Sequence, residues 1–416
     1  MKSIKNKLTV ATCTLLSQQS GEALAIDNAW EIDSSLLYYS EADDRVDVTK
    51  FVANVGGDVS DRDRVTIQLV LDTMSGSTPS GAVKTSGGSN TVSGASGGGG
   101  TGVSDPNASA LANFDDTRSA SSINWAHLYD NNWSVNYSGA VSVENDYRSF
   151  SGAATVSKET DKKDYLFTLG LAATHDEMFR VGAGDTPVPL SQIADNEVAG
   201  EGERDTIDII AGVTKVINRR TVGQINLAYS MSDGYHTDPY KVFSVVDRDS
   251  NQPIADSSYY ESRPGDRKRT SITFLINHQL YPSNNIFHGS YRYYTDDWDV
   301  DSHTFDFNYR FNFANTNYLE PRIRLYAQSK ANFYQNQFFV DDAGASDPSV
   351  NFPKYISADY RLDEMTSITP GIRYGKEVGN NGHLRARLEY MYQSFENSEF
   401  DTNKAIIFQI AYSKKF

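Results

Sequence analysis

Arginine is the residue whose placement first suggests chemistry. Arg292, Arg310, Arg322, Arg324, Arg373, Arg385 and Arg387 crowd into the last third of the chain, with Asp306 and Glu389 among them. Most of them sit at alternate positions between apolar or aromatic residues. Charged groups at that spacing lie along one face of a strand, where they suit polar or ionic solutes or, equally, pair with one another and with a loop plug. Glu144 and Asp208 fall on the corresponding face of earlier segments. A different cluster, Asp296, Asp297, Asp299 and Asp301 in the run DDWDVD, offers carboxylates of the kind that hold Ca²⁺ or Mg²⁺. It lacks the Gly and terminal Glu of a full calcium loop, so a solvated acidic rim is the stronger reading and a metal site the weaker.

Groups for nucleophilic or acid–base catalysis are sparse. The chain has no His-Glu-x-x-His pair, and its one Gly-x-Ser-x-Gly match, Gly94 to Gly98, falls in a Gly/Ser-rich run with no strand and helix pattern around it to make a nucleophile elbow. His175-Asp176-Glu177 and His236-Thr237-Asp238 fall at strand ends, where such residues could activate water only if the fold brought them together. The glycines between residues 75 and 105 are not followed by Gly-Lys-Ser/Thr, so they form no phosphate loop. No enzyme is expected, and no bound cofactor beyond an ion at the acidic rim.

The elements that position these charges read as strands. In Thr304 to Phe313 (TFDFNYRFNF), Phe305, Phe307, Tyr309, Phe311 and Phe313 point one way, and Thr304, Asp306, Asn308, Arg310 and Asn312 the other. Leu384, Ala386, Leu388, Tyr390 and Tyr392 likewise oppose Arg385, Arg387 and Glu389. Val135, Tyr137, Gly139 and Val141 oppose Ser134, Asn136, Ser138 and Ser142. Aromatic residues outside and charges inside suit a transmembrane strand with lipid on one side and water on the other. The spacing predicts strands near 30–39, 45–55, 62–74, 117–127, 132–144, 147–158, 164–177, 204–217, 221–232, 267–279, 285–296, 301–313, 317–332, 366–378, 382–395 and 404–416. That is an antiparallel up-and-down β-barrel of about sixteen strands, with fourteen and eighteen still open.

The connections support this reading. Gly56-Gly57-Asp58, Asp130-Asn131-Asn132, Asp161-Lys162-Lys163, Asn218-Arg219-Arg220, Pro282-Ser283-Asn284, Asn315-Thr316-Asn317 and Asn380-Asn381-Gly382 are short turns, and all fall at one end. The long connections 75–116, 178–203, 233–266 and 333–365 all fall at the other, which would be the external one. The segment 75–116 is Gly/Ser-rich and expected to be mobile. Tyr355 to Leu362 also alternates and is placed as a hairpin arm within the last long loop.

Composition bounds the rest. Among 416 residues there is no apolar run of the roughly 18 that a membrane helix requires. The formal charge of −16 argues against nucleic acid as a partner. Lys2, Lys5 and Lys7, the apolar Leu8 to Leu16 and the small-residue Ala23-Leu24-Ala25 resemble a secretory signal spanning residues 1–25, with the mature protein starting near Ile26. The single Cys, Cys13, lies in the segment to be removed and is preceded by Thr12, which does not fit a lipoprotein cleavage box. A Cys-free barrel of residues 26–416 excludes thiol catalysis and disulfides and fits the bacterial outer membrane. The aromatic strand closing at Phe416 resembles the signature read by the barrel-assembly machinery.

The run DRVDVTKFVANVGGDVSDRDRVTIQLVLDTMS, Asp44 to Ser75, continuing through Gly81, resembles the opening of an uncharacterised exported bacterial family, domain of unknown function 3570. Tyr147 to Leu171, Arg292 to Thr304 and Tyr355 to Leu362 are similar as well. The resemblance covers most of the mature chain. It implies a transmembrane barrel and no established substrate or catalytic residue. It also implies genes for small exported lipoproteins, thioredoxin-like proteins and flavin-attaching enzymes nearby. From the charged lumen face, the expected function is passage of small polar or ionic solutes. The alternative is a non-enzymatic scaffold docking an envelope lipoprotein or redox partner.

Overall fold

Period-two alternation becomes one closed sheet. The computed structural model describes residues 30–43, 45–82, 92–93, 99–100, 111–181, 184–313, 316–341, 348–398 and 400–416. The expected signal segment, residues 1–25, and most of the Gly/Ser-rich run lie outside the described residues. The first strands are β1 (Glu31–Glu41), β2 (Val46–Ser60), β3 (Asp63–Pro79), β4 (Leu111–Tyr129), β5 (Trp133–Val143) and β6 (Tyr147–Glu159). Next come β7 (Tyr165–Met178), β8 (Gly202–Asn218), β9 (Thr221–Gly234), β10 (Asp266–Gln279) and β11 (Ile286–Asp296). The last are β12 (Asp301–Phe313), β13 (Asn317–Gln328), β14 (Met365–Val378), β15 (Gly382–Phe395) and β16 (Thr402–Lys415). Each strand pairs antiparallel with its sequence neighbours, and β1 closes on β16 from Glu31↔Lys415 to Glu41↔Ala405. Sixteen strands close the ring. Closure satisfies every strand edge, which an apolar surrounding demands.

The faces sort as the alternation requires. Leu69, Leu71, Leu169, Leu171, Phe305, Phe307, Leu388, Ile406 and Phe408 stand exposed on the outside. Trp30, Trp125, Tyr129, Trp133, Tyr281 and Phe416 gather on that surface at the short-turn end. An apolar band with an aromatic rim is the form a barrel takes against lipid.

The structure moves several expected boundaries. The first turn is at Asp61-Arg62, not at Gly56-Gly57-Asp58: β2 and β3 pair on to Ser60↔Asp63. Gly57 sits inside β2 because the Trp30 indole lies where a Cβ would be, 2.3 Å from it. The long loop expected at 75–116 is shorter, because β3 pairs with β4 as far as Pro79↔Leu111. Strand β13 stops at Gln328 instead of running to 332.

The long loops fold over one end of the barrel. Val242–Asp247 pairs with Gln252–Tyr260 and, in parallel, with Phe338–Val340. Phe243, Val245, Tyr259, Ile356 and Ala358 form the core of this layer, and Phe352 closes on Phe243 and Tyr259. A second cluster holds Trp298, Val300, Ala331, Phe333, Tyr334 and Leu362. Tyr355 to Leu362 is not a hairpin arm. Ile356 bridges Ser262, Ser357 bridges Tyr334, and Tyr360–Leu362 is a 3₁₀ turn, so the segment threads between two loops. The loop between β9 and β10 crosses to the far side of the ring, where Tyr240 packs on Met74, Val46 and Val48.

Candidate functional site

Three features were marked by the sequence: an arginine wall in the lumen, and an acidic cluster and two His-Asp runs at the external rim. The structure assembles the first and takes the other two apart.

The wall runs over β10 to β16. Parity places Asp306 and Arg310 of β12, Arg322 and Arg324 of β13, Arg373 of β14, and Arg385, Arg387 and Glu389 of β15 on the lumen face, beside Arg292 of β11. Arg322 grips Asp306 through Nε (3.0 Å) and Nη2 and reaches Glu389 with Nη1 at 2.7 Å. Arg387 lies 3.6 Å from the same Glu389 oxygen. Glu320 bridges two more arginines, accepting from Arg310 Nε at 2.9 Å and Arg373 Nη1 at 2.8 Å. Arg385 donates to Asp33 of β1, so the network crosses the seam where the ring closes. Tyr318 lies flat across Gly375, where a Cβ would come within 2.1 Å of its ring. Arg310 stacks on that ring at 4.0 Å.

Two adjoining cavities open on this wall, of about 410 Å³ and 390 Å³. Both are lined by Arg310, Arg373 and Arg387. They lie toward the short-turn end, where β12, β13 and β15 meet their turns. Such a surface can hold an oxyanion between guanidinium groups, or pass one along them. Glu320 and Asp33 complete the network. Both obey the same period-two parity as the arginines, so that signal was present in the sequence.

The opposite wall is different in kind. Asn54 accepts from Gln68 at 2.7 Å, Asn124 from Asn136 at 2.8 Å, and Ser157 meets Thr168 at 3.1 Å. Charge there is mostly paired, Arg118 with Asp72 at 2.9 Å, Arg64 with Glu31 at 2.7 Å and Asp58 at 3.1 Å, and Arg204 with Asp176, beside the buried Glu144 and Asp208.

The four aspartates of the acidic rim diverge. Asp296 faces inward and accepts from Arg267, from the Tyr294 hydroxyl at 2.6 Å, and from the backbone N–H groups of Trp298 and Val300, each at 3.0 Å. Asp297 accepts from Lys268 N at 3.0 Å, Asp299 from Asn332 at 3.2 Å, and Asp301 from the Tyr293 hydroxyl at 3.0 Å. They cap a tight turn and do not converge on an ion. Among the described residues the acidic side chains that do converge are Asp116, Glu144 and Asp146, with one ligand atom from each within 4.8 Å of the others.

The His-Asp pairs separate too. His175 meets Asp205 at 2.8 Å on the outer face, while Asp176 is buried on the inner face against Arg204 and Tyr147. His236 is not on an exposed rim. It is buried in the loop layer, edge-on to Trp298 at 5.7 Å and 2.8 Å from the Ser232 hydroxyl. Burial, reinforced by the Arg204 charge, pushes its pKa down to about 3.

Asp238 lies in an ion cluster that sequence gave no sign of. Arg263 pairs with Glu261 at 2.6 Å and Asp359 at 2.9 Å, and Arg361 with Asp238 at 3.0 Å and with Asp359. Lys241 is buried among them and donates to Pro79 O of β3. Its burial lowers its pKa to about 8. Burial alone would raise Asp359, but the Arg361, Lys241 and Arg263 charges hold it far below the carboxylate range. These residues come from two loops, with partners 96 to 123 positions apart and no periodicity to reveal them.

The chain belongs to the family described as "Protein of unknown function (DUF3570)", whose model matches residues 5–407. No curated protein matches it. Among solved structures it is similar to a bacterial polysaccharide outer membrane secretin, at 10% identity and TM-score 0.45, covering 94% of this chain and 99% of that one. It is similar to OprB of Pseudomonas putida at 9% identity and TM-score 0.43, covering 94% and 93%. It also resembles a ferric enterobactin receptor (PfeA) mutant of Pseudomonas aeruginosa, at 8% identity and TM-score 0.42 over 88% of this chain. The chain spans about half of that receptor's length, 53%.

Proposed function

We propose that the protein is an outer-membrane conduit for small polar or ionic solutes, closed at its external end by its own loops. The observation that carries this reading is the opposition of faces. Apolar side chains cover the outside of the ring, while the inside holds arginines and carboxylates around open cavities. A protein with water on both sides has no reason to expose Leu69, Leu169, Phe305 and Ile406 together. In this reading the long loops face the exterior, the short turns face the periplasm, and no catalytic step is involved. The expected lipid contact is the apolar band, and assembly would be directed by the strand ending at Phe416.

The loop layer favours one other reading. A folded platform with its own core could dock an envelope lipoprotein or a redox partner, with the barrel as its anchor.

Single-channel recording on the folded protein from outer membranes tests both. Current that is small or intermittent in the intact protein, and steady when the layer is loosened by Phe243→Ala, supports the conduit. Silence from a folded Phe243→Ala barrel overturns it. A stoichiometric partner on gentle purification would then support the scaffold.

A further inference from the structure

Most lumen arginines already have a carboxylate. Arg204 holds Asp176, Arg267 holds Asp296, Arg322 holds Asp306 and Glu389, and Arg310 and Arg373 share Glu320. Arg292 and Arg324 are different. Among the described residues neither has a carboxylate within ion-pair distance. Arg324 stands opposite Asp306 in the β12–β13 register, but Arg322 occupies that carboxylate bidentately. Arg324 is thus left facing the lumen, exposed. Arg292 stands opposite Thr273 and Thr304, neither of which carries charge. Its guanidinium stacks on the Tyr294 ring, 5.2 Å from the centroid.

The two are neighbours on the same curved wall. Thr304 faces Arg292 on one side and Tyr326 on the other, and Tyr326 is two residues from Arg324. Like charges placed together repel unless an anion joins them. One step closer to the loop layer, Arg269 is buried, donates from Nη2 to the Ser230 hydroxyl at 2.9 Å, and has no hydrogen-bond partner for Nε. Below this level Arg310, Arg322 and Arg373 are neutralised, and beyond Arg269 so is Arg267. At this level the cations are not.

We propose that Arg292 and Arg324 form an oxyanion-binding site in the lumen beneath the loop layer, with Arg269 as the next cation toward it. The ligand class is a solute bearing a phosphate or carboxylate group, held by paired guanidinium forks and flanked by Tyr294 and Tyr326. This names the solute class for the conduit reading and rests on it.

The test is calorimetric titration of inorganic phosphate into the folded protein in detergent micelles, beside bilayer recording under a salt gradient. Phosphate binding weakened about tenfold in Arg292→Gln and further in Arg292→Gln/Arg324→Gln supports the site. So does a shift of the reversal potential away from anion preference in the double variant. Heat-modifiable gel mobility confirms that each variant is folded. No binding at millimolar phosphate, or equal binding by the folded double variant, overturns the site even if current flows. Arginine-dependent binding in a barrel that never conducts, including the loosened Phe243→Ala form, keeps the site and overturns the conduit.

Discussion

In the barrel wall, Phe305, Phe307 and Phe311 stand outward and Asp306 and Arg310 inward. In the loop layer the apolar side chains turn inward: Phe243, Val245 and Ile356 are wholly buried. The charges of the layer are buried as well, with Arg263, Glu261 and Asp359 sealed from solvent. The wall is built against a surrounding that cannot hydrogen-bond, so its apolar groups need no partner and its polar groups must face the lumen. The layer is built against water and must make its own core, held by ion pairs that are costly to break singly. Two solvents, acting on one chain, invert the pattern within some twenty residues of sequence.

Changes that exchange the two patterns should do the most damage. Phe307→Arg puts a charge into the apolar band at a cost of about 2–4 kcal/mol near the midplane. We expect no heat-modifiable barrel from it, whereas Asn308→Arg, one residue away, should assemble normally. Equal yields from both would refute the assignment of faces. In the layer, Arg263→Ala leaves Glu261 and Asp359 buried beside each other and should cost the layer about 3–5 kcal/mol. The expected readout is new protease cleavage between residues 235 and 265 with the barrel core still resistant. Phe243→Ala should loosen the same segment by about 3 kcal/mol through the cavity it leaves.

Acid should loosen the layer. His236 is held neutral, its pKa lowered to about 3 by burial and by Arg204. The opened layer would protonate near pH 6.5 while the closed layer refuses the proton. Closure is therefore complete above 6.5 and weakens as pH falls from there toward 3, by up to about 1.4 kcal/mol per unit. Hydrogen exchange in the loops at pH 7 and pH 5.5 measures this, and His236→Gln should flatten the difference. The smallest effect belongs to the neutral wall. Gln68→Ala loses one hydrogen bond, to Asn54, and should shift barrel unfolding by no more than about 1 kcal/mol.

The ring was legible because a strand in a barrel repeats one decision every two residues. Thirteen residues of β12 or fourteen of β15 state the same parity many times over. All sixteen predicted strands are in the ring in the predicted order, with only some of their ends moved. Errors fell where parity carries no information. A glycine reads as a turn whether it bends the chain or, like Gly57, makes room for Trp30. The DDWDVD run left a metal site open as the weaker reading because composition shows how many carboxylates are near, not which way they turn. Asp296 turns inward to Arg267, twenty-nine residues away, and the other three turn elsewhere.

By itself the sequence determined the ring, its two faces, and the arginine-rich lumen of the C-terminal half. These follow from local alternation, and a residue's face depends only on its own strand. The tertiary structure alone decided which arginines are neutralised, which are left without a carboxylate, and that the loops pack over one end. Partners such as Arg385 and Asp33, or Arg361 and Asp238, are separated by hundreds of residues or lie in aperiodic loops. Their meeting depends on ring closure and loop packing, which no local pattern records.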